Sequence, residues 1–429
     1  MDSSARIGHS LRLRGAAAVA AAAMAVAACG SSTGSGSGSG SSGGDIHIAM
    51  VGPYSGTFSA LGQAMWEGSK AAEAAVNASG GIMGRKLVMD LVDTIGDPAD
   101  AVPAVDKEII TNHPAGVIGP QGNEIGATAP IFDKNKIPFM FQGGSTVYDN
   151  TTDPYLWRSN PSDSQLGVAM AAWALKQGYK NCAFTFSTAN SVQTLGKVVE
   201  DAFTKNGGTI AADVPLTPLQ PSYRSEILKV VNAHPDCVFL QTEAGSAAAY
   251  FNDFRQLNFQ SVPFIGSDLT SGSDFIQAVT AGFASQHLIS AVGSSAPGPG
   301  GDTFNKYYSQ LYSHAPLSGA NYAYDGVMSL ALAMDQANST AGPDIVKAIP
   351  LTSHGTKTVT TYADGVAALK SGTSIAYRGA SGPINYNQYH NVYGPFDMVQ
   401  AKADGTLGTI YTFSAIQLQS VTDGKGLGG

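Results

Sequence analysis

The chain has 429 residues and a formal net charge of −8 at pH 7, and only 13% of its residues are charged. Its length exceeds the size at which a single hydrophobic core stops growing, so two domains are expected. It contains no basic cluster that could bind a polyanion, which makes nucleic acid a poor candidate partner. The low charge and acidic balance fit an extracytoplasmic protein.

Residues 1–29 are typical of an export signal, because several arginines precede an alanine-rich apolar stretch at 15–28. That stretch is too short to span a membrane, which requires about 20 apolar residues. The string Val26-Ala27-Ala28-Cys29 is similar to a bacterial lipobox, and it predicts that Cys29 is acylated and becomes the mature N-terminus. A cleaved secretory signal with an incidental cysteine is the alternative.

Residues 30–44 consist almost wholly of glycine and serine, a composition that cannot bury enough apolar surface to fold. We expect them to form a flexible tether with a mean reach of about 20 Å. The sequence after the tether has no segment with the length and apolarity of a membrane span. The predicted acyl group is therefore the expected attachment to the outer face of a bacterial cell membrane.

Strands and helices then alternate along the chain. An apolar run at 46–51 predicts a strand, helical spacing predicts a helix over 61–77 that ends before Gly80 and Gly81, and 86–93 predicts a second strand. This order makes a βαβ unit, whose binding edge lies at the carboxyl ends of the strands. The same alternation predicts further strands at 117–119, 137–141, 182–186, 209–214, 238–241 and 263–266, and helices at 125–135, 164–177 (capped by Asp163), 192–206, 222–232, 246–257 and 272–280.

Strings distributed along the chain resemble the type I periplasmic-binding-protein family, in its branch of branched-chain amino-acid (Leu/Ile/Val) receptors. The resemblance implies two doubly wound, Rossmann-like α/β lobes joined by a three-crossing hinge. It places lobe 1 at 45–157 plus 291–393 and lobe 2 at 158–290 plus 394–420. The strings are Gly52-Pro53-Tyr54-Ser55-Gly56, Asn77-Ala78-Ser79-Gly80-Gly81-Ile82-Met83-Gly84-Arg85, Asp93 with Asp97-Pro98, Trp157-Arg158-Ser159-Asn160-Pro161-Ser162-Asp163-Ser164-Gln165, Ser381-Gly382-Pro383-Ile384 and Gly394-Pro395-Phe396-Asp397.

The resemblance also implies a ligand site in the loops that follow the strands. In the family, first-lobe loops bind the α-carboxylate of the ligand through hydroxyl groups and backbone amides. By position, Gly122 and Asn123 fall on one such loop, and Gly143, Gly144 and Ser145 fall on its neighbour. Of these residues only Ser145 retains the hydroxyl group.

The other implied contacts come from the first strand and from lobe 2. Asp268 matches the acid that binds the ligand ammonium, although it could instead cap the following helix. Tyr54 either lines the pocket or covers the hinge, and Asn190 and Ser191 lie on a loop that lacks the tyrosine often found there. Glu124 would repel a ligand carboxylate unless it points away or pairs with a cation. An amide, a urea relative or a modified amino acid therefore stays plausible beside leucine-like ligands.

Cysteine use agrees with export, since only Cys182 and Cys237 remain after Cys29. Each lies near the start of a predicted strand, so a disulfide could form if the strands are neighbours. Two small buried thiols are the slightly favoured alternative, because bridges across adjacent parallel strands are uncommon. No histidine or further cysteine lies at metal-ligand spacing, and no metal or cofactor is predicted.

Enzyme motifs are absent from the folded part, since Gly-x-Ser-x-Gly matches occur only in the Gly/Ser tether. The prediction is a non-enzymatic, lipid-anchored substrate-binding protein of an ABC importer. It would capture an amino acid or related small polar solute between its lobes and dock on a membrane permease. A ligand-sensing subunit of a signalling or envelope-regulatory system is the alternative, and an extracytoplasmic hydrolase is the weakest candidate.

Overall fold

The computed structural model describes residues 43–56, 58–122, 124–188, 193–259, 261–294 and 299–428. The predicted export signal with Cys29, and residues 30–42 of the tether, lie outside the described residues. Three of the predicted ligand contacts, Asn123, Asn190 and Ser191, also lie outside them. Within the described ranges, no helix is long and apolar enough to cross a membrane.

The first sheet has five parallel strands in the order β2-β1-β3-β4-β5. The strands β1 and β4 are short apolar runs buried on both faces, as parallel strands covered by helices require. The strand order reverses between β1 and β3, which makes that edge a topological switch point. The strands are β1 (Ile46–Gly52), β2 (Leu87–Asp93), β3 (Gly116–Gln121), β4 (Phe139–Gln142) and β5 (Leu156–Arg158).

Local signals explain the ends of the first helices. After α1, Gly80 and Gly81 have φ values of 99° and 76°, which favour glycine. Asp97 caps α2 by accepting a 2.7 Å hydrogen bond from the Ala99 N–H, and Pro98 occupies the first helical position. The helices are α1 (Ser59–Ala78), α2 (Pro98–Asn112) and α3 (Glu124–Asn135).

The second sheet has seven strands in the order β15-β14-β10-β9-β8-β6-β7. Strands β6 to β10 are parallel to one another, whereas β14 pairs antiparallel with β10 and β15. A third, small sheet contains β11, β12 and β13. The strands are β6 (Asn181–Phe186), β7 (Thr209–Asp213), β8 (Cys237–Gln241), β9 (Phe264–Gly266), β10 (Leu288–Gly293), β11 (Lys357–Val359), β12 (Ile375–Gly379), β13 (Gly382–Pro383), β14 (Phe396–Ala401) and β15 (Leu407–Phe413).

The remaining helices divide between the two large sheets. Helix α4 packs on the second sheet against β9, β10 and β14, and α11 packs on the first sheet and against α1. The chain therefore passes between the sheets three times, after β5, after β10 and before β14. The helices are α4 (Asp163–Gln177), α5 (Gln193–Lys205), α6 (Arg224–Asn232), α7 (Ala244–Gln256), α8 (Ser273–Val279), α9 (Ala281–His287), α10 (Pro299–Leu311), α11 (Ala320–Ala337), α12 (Gly342–Ala348), α13 (Tyr362–Lys370) and α14 (Ala415–Thr422).

Two details differ from the sequence-based expectations. Strand β10 runs to Gly293, three residues past the lobe boundary expected at 290, because β14 continues to pair with it after its pairing with β9 ends at Ser290. Helix α4 is capped by Ser162, whose hydroxyl accepts a 3.1 Å hydrogen bond from the Ser164 N–H. Asp163, predicted to be the cap, is instead the first helical residue, and its carboxylate is not used for capping.

Cys182 and Cys237 form a disulfide, with their Cα atoms 4.7 Å apart. They are register partners on the neighbouring strands β6 and β8. The slightly favoured expectation of two separate thiols was therefore wrong. The sequence could place each cysteine near the start of a strand, but only the strand order brings the two side chains together.

Candidate functional site

Unpartnered polar side chains mark the carboxyl ends of the strands in both large sheets. Gln142 Nε2 at the end of β4 and Ser159 Oγ just after β5 are buried without a hydrogen-bond partner. Gln241 Oε1 at the end of β8 and Ser267 Oγ just after β9 are also buried without a hydrogen-bond partner. Buried polar groups in folded proteins normally have partners, so their lack at these strand ends indicates a place where a ligand or water completes the bonding.

The two second-sheet side chains point to one side of their sheet. Leu240 pairs with Gly266 in the register of β8 and β9, so Gln241 and Ser267 lie next to each other. Phe239 and Ile265, two residues earlier, pack in the core beneath α4. Because side chains alternate along a strand, Gln241 and Ser267 face the same side, where α4 begins.

Two contacts join elements of the first sheet to elements of the second. The Asp163 N–H, at the start of α4, donates a 2.8 Å hydrogen bond to the carbonyl oxygen of Gly144, which follows β4. A Cβ atom added to Gly144 would overlap the Asp163 carboxylate, so that carboxylate lies directly against Gly144. Tyr322 of α11 reaches the end of β10, where its hydroxyl group lies against the backbone of Gly293. We call the space between the strand ends of the two sheets, which these contacts bridge, the cleft.

Asp163 and Asp268 are electrostatic neighbours in this cleft. Burial raises the pKa of Asp163 to about 7. The negative charges of Asp268 and Asp149 also raise this pKa, whereas the positive charge of Arg158 lowers it. Burial also raises the pKa of Asp268, against the hydrogen bond from the Leu269 N–H. The side chain of Asp268 is nevertheless exposed to solvent.

A buried arginine holds the loop after β4. The guanidinium group of Arg158 donates 2.6 Å hydrogen bonds to Asp149 Oδ1 and to the Ser145 carbonyl oxygen. Its side chain is fully buried over the ring of Phe141, and burial lowers its pKa against the charge of Asp149. Asp149 Oδ1 also accepts a 2.6 Å hydrogen bond from Ser162 Oγ. Loop 143–149 is thus attached to the first crossing between the sheets.

The predicted contacts at 143–145 lie in this loop, but part of their polar capacity is used within the protein. The Gly143 N–H donates a 3.0 Å hydrogen bond to Asn160 Oδ1. The Gly144 carbonyl oxygen accepts from the Asp163 N–H and from Ser162 Oγ. Ser145 Oγ accepts a 3.4 Å bond from the Val147 N–H at the start of a short 3₁₀ turn. A ligand role for these three residues stays a prediction.

The other described candidates occupy separate strand ends. Gly122 is exposed after β3 with a φ of 52°. Tyr54, after β1, is half-buried beside the core under α1. The pKa of Tyr312 is raised to about 12 by burial, then by the charge of Glu67 and then by that of Tyr54. The structure therefore places Tyr54 near Tyr312, whereas Asp268 lies near Asp163 and Tyr322.

Glu124 is buried at the start of α3, and neither of its carboxyl oxygens has a hydrogen-bond partner. Burial raises its pKa, and the hydroxyl of Thr94 and the charges of Asp93 and Asp97 are its neighbours. Those neighbours lie at and beyond the end of β2, so the carboxyl group faces that strand end. A raised pKa and this orientation weaken the expected repulsion of an anionic ligand.

Sequence reasoning missed most of the side chains that define the cleft. Gln241 is the last residue of the strand predicted at 238–241, so the strand-end rule alone could have identified it, and Gln142 directly follows the strand predicted at 137–141 and begins a loop that this rule selects. Asp163 was assigned to capping, and Tyr322 lies inside a helix with no local signal of function. Within the described part of the chain, no three His, Cys, Asp or Glu side chains are placed to hold a metal ion.

The sequence model of the periplasmic binding protein family matches residues 45–406. The chain belongs to this family. Members of this family are extracytoplasmic binding proteins and not enzymes, as the sequence predicted. The predicted type I fold and the resemblance to the branched-chain amino-acid receptors are confirmed by the relatives and solved structures described next.

This periplasmic binding protein is similar to curated relatives at low identity. It is 27% identical over 243 residues to the Leu/Ile/Val-binding protein BraC3 of Rhizobium johnstonii, covering 54% of this chain and 63% of that protein. It is 26% identical over 198 residues to the Leu/Ile/Val/Thr-binding protein of Salmonella typhimurium, covering 46% of this chain and 54% of that protein. The chain thus matches less than two thirds of the length of either relative. The leucine-specific-binding protein of Salmonella typhimurium is 24% identical over 337 residues, covering 73% and 85%.

Solved structures agree on the fold. The leucine-binding protein LivK of Thermotoga maritima superposes with a TM-score of 0.71 at 21% identity, covering 86% of this chain and 99% of that chain. LivJ of Streptococcus pneumoniae, in complex with isoleucine, gives 0.69 at 19% identity, covering 86% and 99%. A solute-binding protein of Rhodopseudomonas palustris in complex with 4-hydroxybenzoate gives 0.70 at 15% identity, covering 86% and 97%. Proteins with this fold therefore bind chemically different solutes.

A prediction follows for the pH dependence of stability. The folded protein holds a proton on Asp163 up to about pH 7, whereas the unfolded chain releases it near the ordinary value of about 4. Asp163 therefore lowers the free energy of unfolding as pH rises between these values, by about 1.4 kcal/mol per pH unit at most. In urea titrations, we expect the free energy of unfolding of Asp163→Asn to fall less than that of the parent protein as the pH rises between these values. Parallel pH profiles of the two proteins would contradict the assignment.

Proposed function

We propose that this protein is the substrate-binding component of an ABC importer, which captures a small polar solute between its two lobes. The observation that carries the proposal is the set of buried, unpartnered polar atoms at facing strand ends, on Gln142, Ser159, Gln241 and Ser267. A solute that completes these bonds gains them only when both lobes contact it. Binding would thus shift the population toward a closed form.

The solute class we propose is an amino acid or a related small polar molecule, as the names of the curated relatives suggest. The proposed contacts are those that the family resemblance implies. They include Asp268 from the second lobe and, from the strand-end loops of both lobes, Tyr54, Gly122, Asn123, Gly143, Gly144, Ser145, Asn190 and Ser191.

The proposed partner in the membrane is an ABC permease, which would accept the solute from the closed form. We further propose that Cys29 carries the acyl anchor and that residues 30–44 are the tether, with lobes bounded near 157, 293 and 393. Mass measurement of the mature N-terminus in protein from untreated cells tests the anchor, and globomycin, an inhibitor of the lipoprotein signal peptidase, should leave residues 1–28 attached. A mature chain that begins elsewhere than Cys29 would contradict it.

A thermal-shift screen tests the binding proposal. The probes are the standard amino acids, their amides, urea, benzoate and 4-hydroxybenzoate, each confirmed by calorimetry. A ligand at about a hundred times its Kd adds about 2.7 kcal/mol to the free energy of unfolding, which a melting curve detects easily. If no compound of this panel raises the melting temperature, the result contradicts the proposed solute class.

Gln241→Leu separates a binding role from a structural role. The substitution removes a buried amide with an unpartnered oxygen, so we expect stability to be unchanged or higher. The same change removes an acceptor from the ligand, so we expect affinity for the screen hit to fall by at least about tenfold. Gln256→Leu, on the exposed end of α7, is the matched control and should leave affinity unchanged. Equal affinity of Gln241→Leu and the parent would remove Gln241 from the site.

A further inference from the structure

A second recess lies beside the crossings between the two large sheets. Its volume is about 600 Å³, and its walls come from residues 149–150, the start of α4, the third crossing at 387–393, and α14. None of the four unpartnered strand-end side chains of the cleft lines it. We call this space the hinge cavity. Its volume is within the range of small-molecule sites, roughly 300–1,000 Å³.

The lining of the hinge cavity is polar and lacks a cation. Five of the lining side chains are carboxamides, four carry hydroxyl groups, and the remaining one is the carboxylate of Asp149. Asp149 Oδ1 already accepts hydrogen bonds from Arg158 and Ser162, so its charge is balanced within the protein. An anion would find no positive partner in this lining, and an apolar molecule would leave its polar groups without bonds. The lining therefore suits a neutral molecule that carries many hydrogen-bonding groups.

One buried side chain in this lining has bonding capacity to spare. Gln165 is only 6% exposed, and its Oε1 accepts a 3.4 Å hydrogen bond from the Gly394 N–H. Its amide nitrogen donates to no group within the described part of the chain. Buried polar groups in folded proteins normally have partners, so this nitrogen indicates a place where a bound molecule or water completes the bonding.

The wall formed by the third crossing is held in place from behind. Asn391 Nδ2 donates hydrogen bonds of 2.9 Å and 3.0 Å to the carbonyl oxygens of Asp149 and Tyr389. Asn387 Oδ1 accepts from the N–H groups of Tyr389 and Asn391, at 2.9 Å and 3.0 Å. These bonds fix the backbone of the wall before any ligand arrives, which lowers the ordering cost of binding.

We propose that the hinge cavity binds a neutral polyhydroxylated molecule, a mono- or disaccharide. A carboxamide presents a donor and an acceptor side by side, which matches two adjacent hydroxyl groups of a sugar ring. The amides of Asn150 and Gln388 form no hydrogen bonds within the described residues and are available for such pairing. Tyr389 and Tyr393 add aromatic surface for the apolar C–H groups of the ring. The inference does not rest on the proposed function, since the two sites have different linings.

The test is calorimetric titration of the full chain with glucose, sucrose, maltose and trehalose, and with gluconate as the anionic counterpart of glucose. Melting curves are unsuitable here, because sugars at high concentration stabilise folded proteins without binding to a site. We expect saturable binding of at least one neutral saccharide at millimolar concentration, and none of gluconate. If no neutral saccharide shows saturable binding, or if gluconate alone does, the inference is overturned.

Substitutions in the two sites locate the bound saccharide. Asn150 and Gln388 are exposed, so the double variant Asn150→Ala with Gln388→Ala should fold, and we expect its affinity for the best saccharide to fall by at least about tenfold. Gln256→Ala, at an exposed amide of α7, is the control and should bind as the parent does. Gln241→Leu, which alters the cleft, should also keep parental affinity. Melting curves without saccharide show that each variant is folded.

Two outcomes with these variants would overturn the hinge cavity as the saccharide site. The first is parental affinity in the folded double variant of Asn150 and Gln388. The second is loss of saccharide binding in Gln241→Leu, which would make the saccharide a solute of the cleft. In that second case the proposed capture of a small polar solute stands and only the present inference fails.

Discussion

Asp149→Ala is expected to lower the free energy of unfolding by about 3–5 kcal/mol, because it leaves the guanidinium of Arg158 buried without its counter-ion. Arg158 has no exposed side-chain surface, whereas the Asp149 side chain is 21% exposed. Removing the cation instead, with Arg158→Met, leaves a carboxylate that water and Ser162 can still satisfy. We therefore expect Arg158→Met to cost less than Asp149→Ala in urea denaturation.

The control for this prediction is an exposed ion pair. Lys197 and Asp201 are paired on α5 with 68% and 62% of their side chains exposed, and Asp201→Ala should cost less than about 1 kcal/mol. The double variant Asp149→Leu with Arg158→Met should lose less than Asp149→Ala alone, since no unpaired charge remains. Equal losses for Asp149→Ala and Asp201→Ala would mean that the Arg158 network does not hold the loop.

Gly144→Ala is expected to lower ligand affinity by at least about tenfold and to cost about 1–3 kcal/mol of stability. The added methyl group would overlap the Asp163 carboxylate, so either that acid or loop 143–149 must move. Both movements displace a side chain that we place in the cleft. The measurement is calorimetric titration with the hit from the thermal-shift screen.

Gly126→Ala is the matched control for this substitution. A Cβ atom at Gly126 would meet only the hydroxyl of Tyr148, at 3.8 Å. Gly126 lies inside α3, where alanine is the better helix former, so stability should rise slightly. If Gly144→Ala binds as tightly as Gly126→Ala, the contact between Gly144 and Asp163 has no part in recognition.

Local patterns were sufficient to predict the alternating strands and helices. The predicted strand at 46–51 and helix at 61–77 correspond to Ile46–Gly52 and Ser59–Ala78. Apolar periodicity and paired glycines are short-range signals, so a single sequence contains them. The predicted α/β fold followed from their order.

The cleft could be predicted only in outline. The strand-end rule selects one edge of each sheet, but the meeting of Gly144 with Asp163 and of Tyr322 with Gly293 depends on how distant segments pack. The cap of α4 shows the same limit on a smaller scale. Ser162 and Asp163 are both good capping residues, and in the structure Ser162 is the cap of α4. The N–H of Asp163, the first helical residue, donates a hydrogen bond to the carbonyl oxygen of Gly144.

The most direct test of closure around a solute is small-angle X-ray scattering of the full chain, with and without the calorimetrically confirmed hit at saturation. We predict a smaller radius of gyration in the presence of the hit, and for Gln241→Leu we predict that the same decrease requires at least about tenfold more ligand. An unchanged radius of gyration with saturating, calorimetrically verified ligand would contradict capture by closure of the two lobes.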